Sequence, residues 1–510
     1  MKIPENQQYH DTNQLLTSLR TEIPDIQTFK GKWSVLKTKL NNLQTQITDL
    51  SSFPNFTTNS LCSELLFSIT QTLTDTLSLA KSCKDPNFTY GKLRTQSDID
   101  SIVAKLDQHV KDSDLLIKSG VLLETGVGDN LSKREAVRVE ARNLITRLQI
   151  GNFESKNGAM DSLLNLLQED DKNVLIAVAQ GAVAVLVRLL DSSCLEIKEK
   201  AVFAISRVSM VDSSKHVLIA EGILLLNHLL RVLESGSTHS SQAVAVGVLR
   251  NLALFHEIKI NFIEENAVPV LITVLSSGTN LAQENSIGCL CNLVSKDEHM
   301  KILVCKEGVI ECLKNYWDGA TSSRSLEVAV GLLLNLASCR PIAEVIVSKG
   351  FIPRVVALLS CEVSGVRVAA VRAVYELTFS TKQRKEVGEA GCVPTLVKML
   401  DVKAAEEKDA AAKALSSIMQ YAGNRRIFRK EDRGMIATVQ LLDPSVLNLE
   451  KKYPILVLLS IAQSKKCRRQ MVAAGAGAYL HKLVEMDIEG AKKLLESLGR
   501  NKLWGVFARA

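Results

Sequence analysis

Asparagine recurs at one position in three successive apolar stretches of the chain. Asn251, Asn292 and Asn335 each stand before Leu, in Leu-Arg-Asn-Leu-Ala, Leu-Cys-Asn-Leu-Val and Leu-Leu-Asn-Leu-Ala. A carboxamide both donates and accepts hydrogen bonds, so one Asn can pair with both groups of a peptide unit. Spaced regularly, such side chains would bind the backbone of an extended segment. The alternative, that each Asn bonds within its own helical unit, stays open at this point.

Glycine stands four residues, one helical turn, before each of these asparagines, and would let a peptide backbone approach closely. In the stretches before and after these three, the position equivalent to Asn holds Arg207 and Glu376. These two residues would frame the segment at its two ends. The charges expected on this face, which also include Lys413, are mixed. The predicted partner-binding groove comprises Asn251, Asn292, Asn335, Gly247, Gly288, Gly331, Arg207, Glu284, Glu327, Arg372 and Glu376.

Nothing in the sequence predicts catalysis. The eight His and eleven Cys form no metal-binding spacing such as H-E-x-x-H or C-x-x-C, and there is no G-x-S-x-G nucleophile motif. Cysteines such as Cys289 and Cys291 lie in apolar helical runs, which favours small buried hydrophobes in a reducing compartment. We therefore expect no enzyme activity, no cofactor, no metal and no small-molecule substrate.

Two basic runs lie near the C-terminal end. A solvated edge is the simplest interpretation; the alternatives are an acidic partner, membrane headgroups or a nuclear-import signal. The net charge of +7 is small for 510 residues and does not indicate a nucleic-acid partner. No apolar run approaches the ~20 residues that span a bilayer, so any membrane association would be peripheral. The basic patch comprises Arg425, Arg426, Arg429, Lys430, Lys465, Lys466, Arg468 and Arg469.

An internal repeat positions these side chains. A Gly or Asn, followed by an apolar pair or Val-Pro and then a Leu-rich run, recurs every 41–44 residues. Gly at these anchors, or its usual substitute Asn, permits a left-handed turn between two helices. Units of two long helices and one short helix at this period are typical of an α-solenoid. The eight anchors are Gly181, Gly222, Asn266, Gly308, Gly350, Gly391, Gly434 and Gly475.

The Gly-x-Val-Pro-x-Leu turns, as in Gly391-Cys-Val-Pro-Thr-Leu, and the Asn column resemble the armadillo (ARM) repeat superfamily over about residues 131 to 510. The resemblance implies an all-α fold, a right-handed α-solenoid of about eight armadillo repeats. In that family the Asn-bearing helix lines a concave groove that binds an extended peptide segment.

Residues 1–125 do not repeat. Helical patterns run approximately over 12–50, 60–81 and 97–119, with breaks at Pro54 and Asp85-Pro86, which predicts a helical bundle. The stretches beginning Tyr90-Gly-Lys-Leu-Arg and Asp112-Ser-Asp-Leu-Leu resemble the N-terminal domain of plant U-box/ARM ubiquitin ligases. The connection to the repeats is too short for a U-box. The predicted domains are an N-terminal bundle (1–125), a linker (126–135), the armadillo repeats (136–489) and a C-terminal capping helix (490–510).

The repeat and the lack of catalytic motifs predict a non-catalytic protein–protein interaction scaffold. The resemblance implies a setting in plant signalling or regulation, in the cytoplasm with shuttling to the nucleus. The alternative is a substrate-recruiting component of ubiquitination without its own U-box. A nuclear transport adaptor is disfavoured, because importin-α-like carriers place Trp where this chain has Gly, and Trp33, Trp317 and Trp504 all lie outside that column. If the three Asn read a partner, their joint change to Ala should weaken binding without altering the thermal melt.

Overall fold

A computed structural model of the protein describes residues 5–85, 91–123, 132–234, 238–320 and 322–499. Within these ranges the chain is all-helical and contains no strand, which confirms the predicted all-α class. Two compact units divide the chain, Met1–Val248 (the first unit) and Leu249–Ala510 (the second unit). Residues 126–131 of the predicted linker and 500–510 of the predicted capping helix lie outside the described ranges, as does Tyr90.

Four long helices begin the first unit. Helix α1 packs against α3, and α2 packs against α4. Their apolar faces enclose a core in which Leu16, Trp33, Leu40 and Leu73 are almost completely buried. The four helices are α1 (Glu5–Glu22), α2 (Lys30–Ser51), α3 (Ser60–Lys84) and α4 (Lys92–Ser119).

The helix expected over residues 12–50 is wrong as a single element. The structure breaks it into α1 and α2 between residues 22 and 30. Pro24 lies in a 3₁₀ turn, Ile23–Asp25, and Phe29 adopts a left-handed backbone with φ of 53° before α2 begins. Proline lacks the amide hydrogen that a helix interior needs, so the continuous apolar pattern concealed a real break.

From residue 133 onward, short, intermediate and long helices alternate in a repeat-like arrangement. Further 3₁₀ turns are Val121–Leu123, Asp212–Ser214 and Leu358–Ser360. The helices up to the boundary between the units are α5 (Lys133–Ile150), α6 (Phe153–Glu169), α7 (Asp171–Ala179), α8 (Ala182–Leu189), α9 (Leu195–Ser209), α10 (Lys215–Ala220), α11 (Gly222–Glu234) and α12 (His239–Leu252). Those that follow are α13 (His256–Glu264), α14 (Ala267–Ser277), α15 (Asn280–Val294), α16 (Glu298–Lys306), α17 (Val309–Gly319), α18 (Ser323–Ala337), α19 (Arg340–Ser348), α20 (Phe351–Ala357), α21 (Ser364–Leu377), α22 (Thr381–Glu389), α23 (Cys392–Met399), α24 (Ala405–Ile418), α25 (Ala422–Phe428), α26 (Asp432–Gln440), α27 (Lys452–Ile461), α28 (Lys465–Ala473), α29 (Ala476–Glu485) and α30 (Ala491–Gly499).

The anchors form the expected left-handed turns, with one exception. Six anchor glycines and Asn266 have positive φ, for example 89° at Gly308 and 51° at Asn266. Gly434 lies inside α26 and is not among the residues with positive φ. A Cβ there would come within 3.3 Å of Val397 and 3.4 Å of Phe428, so close packing accounts for this glycine.

In the second unit, each long helix packs on the next. Helix α15 contacts α18, α18 contacts α21, α21 contacts α24, and α24 contacts α27. This succession places equivalent residues of neighbouring sequence units side by side.

No single helix in the described ranges has both the length and the apolar character needed to cross a membrane. Two sharply bent pairs, Asp171–Ala179 with Ala182–Leu189 and Asp212–Ala220 with Gly222–Glu234, meet that test only when combined, by length and composition alone.

Candidate binding groove

The groove that contains most of the predicted site lies over α12, α15 and α18 and has a volume of about 800 Å³. Thr279 begins α15 by accepting a hydrogen bond from the Ala282 amide at 3.3 Å. Residues at intervals of three or four along α15 then share one helix face. The groove is lined by Arg250, Asn251, Leu254, Leu281, Glu284, Asn285, Gly288, Cys291, Asn292, Glu327, Val328, Gly331 and Val363.

Three apolar side chains on this lining are open to solvent. Leu254, Leu281 and Val363 are 59%, 54% and 39% exposed. None was among the predicted site residues. Leu281 could have been found from its spacing to Glu284 and Gly288 on one helical face; Leu254 and Val363 lie outside the long helices and follow no such pattern. These side chains supply the apolar contact that a polar Asn column lacks.

The Asn292 side chain is hydrogen bonded to the preceding long helix. Its Nδ2 donates to the carbonyl oxygen of Arg250 at 2.9 Å. Arg250 lies in the last turn of α12, where backbone carbonyls have no partner within the helix. Asn292 therefore hydrogen bonds to the end of the preceding long helix. This role is neither of the two predicted ones, partner binding and bonding within its own unit.

Asn335, and Ser417 at the equivalent position of α24, also hydrogen bond to the preceding sequence unit. Asn335 Nδ2 donates to the Cys291 sulfur at 3.1 Å, a weak acceptor. Ser417 lies 3.0 Å from the Thr378 hydroxyl and donates to the Thr378 carbonyl at 3.3 Å. Asn251 lies on the groove lining at the end of α12. Hydrogen bonds from Asn292, Asn335 and Ser417 thus link consecutive long helices.

The column glycines differ in what surrounds them. A Cβ at Gly288 would come within 2.5 Å of Arg250 Nε, so this glycine makes room for an arginine of the same chain. A Cβ at Gly331 would meet only Cys291 Sγ, at 3.9 Å. Gly331 is therefore the glycine that leaves space in the groove, while Gly247 lies half-buried within α12.

The groove carries charges of both signs. Glu284 accepts a hydrogen bond from the Ser325 hydroxyl at 2.7 Å. Glu327 is exposed, and it lies close to the backbone of Gly365, where an added Cβ would be 3.1 Å from Oε1. Arg250, which was not among the predicted residues, lies across Gly288 with Nη1 3.4 Å from Asn285 Oδ1. The sequence feature that could have identified Arg250 as a groove residue is its position next to Asn251.

Arg372 and Glu376 line a second, smaller hollow of about 280 Å³ on α21 and α24. Arg372 pairs with Glu406 at 2.9 Å. Burial raises the pKa of Glu376, although Lys413 and Lys301 oppose the shift. The Lys413 ammonium lies 4.6 Å from the centre of the Tyr375 ring. Lys413 and Tyr375 thus form part of the wall of this hollow.

Arg207 lies in α9 of the first unit and pairs with Asp171 of α7. The pair joins a long helix to the preceding short helix. The predicted framing residue is therefore already neutralised by a carboxylate of its own unit.

The predicted basic patch is divided between structural and exposed residues. Arg425 Nη1 donates to the carbonyls of Met419 and Gln420, just beyond the end of α24. Arg468 donates in the same way to Ala462 and Gln463, just beyond α27. Arg429 donates to the Arg425 carbonyl while remaining exposed. The other exposed members are Arg426, Lys430, Lys465, Lys466 and Arg469.

Several thiols of the described residues are deeply buried. Burial raises the pKa of the Cys62 thiol to about 12 and also raises the pKa values of Cys289 and Cys392. Such thiols are poor nucleophiles because the thiolate is the reactive form. Among the described residues no group of three or more His, Cys, Asp or Glu is placed to hold a metal ion.

Among known proteins, the N-terminal helices are similar to one family of domains. A family described as "Domain of unknown function (DUF7032)" matches residues 10–121. No curated protein matches the chain. The crystal structure of an engineered protein, a structural-genomics target, is similar at a TM-score of 0.62 and 23% identity, covering 83% of this chain and 98% of its own. That likeness shows a shared fold alone.

Proposed function

We propose that this protein is a non-catalytic interaction scaffold that binds an extended segment of a partner protein in the groove over α12, α15 and α18. The observation that carries the proposal is the open space above Gly331, bordered by exposed Leu281 and Val363. A concave surface that combines apolar side chains with a few polar groups is typical of ligand-binding sites.

The supporting architecture is a right-handed α-solenoid of about eight armadillo repeats after an N-terminal helical bundle. Most anchors separate two shorter helices, and a long helix follows, as in α16, α17 and α18. Packing of each long helix on the next is what a solenoid requires. The proposed boundaries are 1–125 for the bundle, 126–135 for the linker, 136–489 for the repeats and 490–510 for the capping helix.

Backbone recognition in this proposal rests mainly on Asn335. Its Nδ2 donates to the Cys291 thiol, and replacing that weak hydrogen bond with one to a peptide carbonyl costs little. The Asn292 amide already donates one of its two N–H groups to the Arg250 carbonyl, so it has less to offer a partner than Asn335. Apolar contact at Leu281 and Val363 would provide most of the remaining affinity.

The proposed setting is plant signalling or regulation in the cytoplasm and also the nucleus, with a protein partner, no nucleic acid and at most peripheral membrane contact. Recruitment of substrates to a ubiquitin ligase is the alternative use of the same groove. Both uses require the groove to bind a peptide segment, so one experiment tests their common step.

The test is selection from a random peptide library displayed on phage, with the full chain as bait. Gly331→Phe fills the groove, because only Cys291 Sγ lies near the added side chain. The matched control is Gly158→Phe in α6, where an added Cβ meets nothing within 4 Å. We expect selected peptides to lose at least about tenfold in affinity for Gly331→Phe, about 1.4 kcal/mol, and to bind Gly158→Phe normally.

Peptides that bind both variants equally would contradict the proposal, because the binding site would then lie outside the groove. Both proteins should melt at the wild-type temperature, since neither glycine has a positive φ.

A further inference from the structure

Three charged residues on the groove lining form no ion pair with any residue the structure describes: Arg250, Glu327 and Glu284, the last of which accepts a hydrogen bond from Ser325. Arg250 lies on α12, and its side chain is hydrogen bonded to Asn285, an uncharged amide. Glu327 lies on α18 and is exposed. Within the described part of the chain neither residue forms an ion pair, so each retains charge that a bound molecule can neutralise.

Nearby charged residues behave differently. Arg354 forms a two-point pair with Asp318, with distances of 2.7 and 2.6 Å. Arg367 of α21 pairs at 2.6 Å with Glu407, which is almost completely buried. Ion pairs therefore form close to the groove, whereas Arg250 and Glu327 on its lining have none in the described part of the chain.

The two charges lie two helices apart. Arg250 contacts Gly288 of α15, and Glu284 of α15 contacts Ser325 of α18, so the three helices are successive neighbours. The Arg250 guanidinium lies over Gly288 of α15, and the Glu327 carboxylate reaches from α18 to Gly365 of α21. Packed helices lie about 8–10 Å apart, so two helix spacings separate the two charges by roughly 16–20 Å. An extended chain rises about 3.3 Å per residue and spans that distance with about five to six residues.

We propose that the groove selects its partner by charge order. This inference rests on the proposed function and specifies its ligand: an extended segment that places a carboxylate against Arg250 and a Lys or Arg, about five to six residues away, against Glu327. Apolar side chains between them cover Leu281 and Leu254. Charge complementarity of this kind fixes the register of the segment and excludes partners with the reversed order.

The experiment compares charge-exchanged variants at constant net charge. Arg250→Glu combined with Glu327→Lys reverses the groove charges. Lys306→Glu combined with Glu307→Lys is the matched control, because these exposed residues lie at the end of α16 and do not line the groove. A random peptide library on phage is selected separately on the wild-type chain and on each double variant.

We expect the wild type and the control to enrich the same order of acidic and basic residues, and the groove variant to enrich the exchanged order. Single neutral changes, Arg250→Gln and Glu327→Gln, should each weaken wild-type-selected peptides on the order of tenfold. They retain most of the side-chain stem, so they test the charge even if the double variant folds poorly.

The outcomes separate this inference from the function on which it rests. Peptides that require an open Gly331 but bind all charge variants equally would overturn the charge order and leave the groove function intact. Peptides that are insensitive to Gly331→Phe would overturn both.

Discussion

At the scale of single residues, the Asn column is a fastening between successive long helices. Asn292 supplies a hydrogen bond to the last turn of α12, and the Arg250 carbonyl would otherwise lack one. The Lys259 ammonium donates in turn to the Asn292 carbonyl at 2.9 Å, in the last turn of α15. Helix ends in this protein are thus completed by side chains from other helices.

Asn292→Ala should destabilise the protein. It leaves the partly buried Arg250 carbonyl without its partner, and the loss of such a hydrogen bond costs about 0.5–1.5 kcal/mol. Asn335→Ala loses only a bond to sulfur and should cost less. Urea denaturation followed by circular dichroism gives both midpoints.

The control for this pair is Ser460→Ala, whose hydroxyl bonds to Val457 of its own helix. Equal midpoints for the Asn292→Ala and Ser460→Ala variants would show that the column is not a fastening. From the sequence, the change of these Asn residues to Ala was predicted to leave the melt unchanged. Spacing identifies the face on which an Asn lies, but it does not identify the acceptor that a neighbouring unit presents.

At the scale of elements, left-handed turns and side-chain caps determine where each helix stops. The anchor turns were predictable because glycine that recurs just before an apolar helical run is typical of a left-handed turn between helices. Gly434 could not be distinguished by type, since its packing against Phe428 depends on tertiary contacts. The division between α1 and α2 was missed because apolar spacing continued through Pro24.

Gly308 gives the cleanest test of the turns. Its φ is 89°, and an added Cβ meets nothing within 4 Å, so a substitution there changes backbone strain alone. Gly308→Ala should lower the free energy of unfolding by about 1–2 kcal/mol. Gly308→Asn should cost less, because Asn tolerates this conformation, as Asn266 does at the preceding anchor.

Chemical denaturation of the two Gly308 variants provides the measurement. An Asn variant that is as unstable as the Ala variant would show that the turn itself does not limit the stability of this region.

At the scale of the whole molecule, the second unit repeats one helical arrangement while the chemistry of its surface changes from repeat to repeat. Over α15 and α18 the groove is open at Gly331 and Glu327, whereas the smaller hollow on α21 and α24 is lined by Lys413 beside Tyr375. The sequence predicted the face and nearly half of the lining residues. It could not predict that Arg250 would cross Gly288, because that contact depends on the separation of two packed helices.

The central claim is that a partner segment lies along this groove, and a crystal structure of the full chain with a phage-selected peptide tests it most directly. We predict an extended peptide that passes over Gly331, covers Leu281 and contacts Asn335. A peptide bound instead to the N-terminal helices α1–α4, or to the basic short helices α25 and α28, would contradict the account.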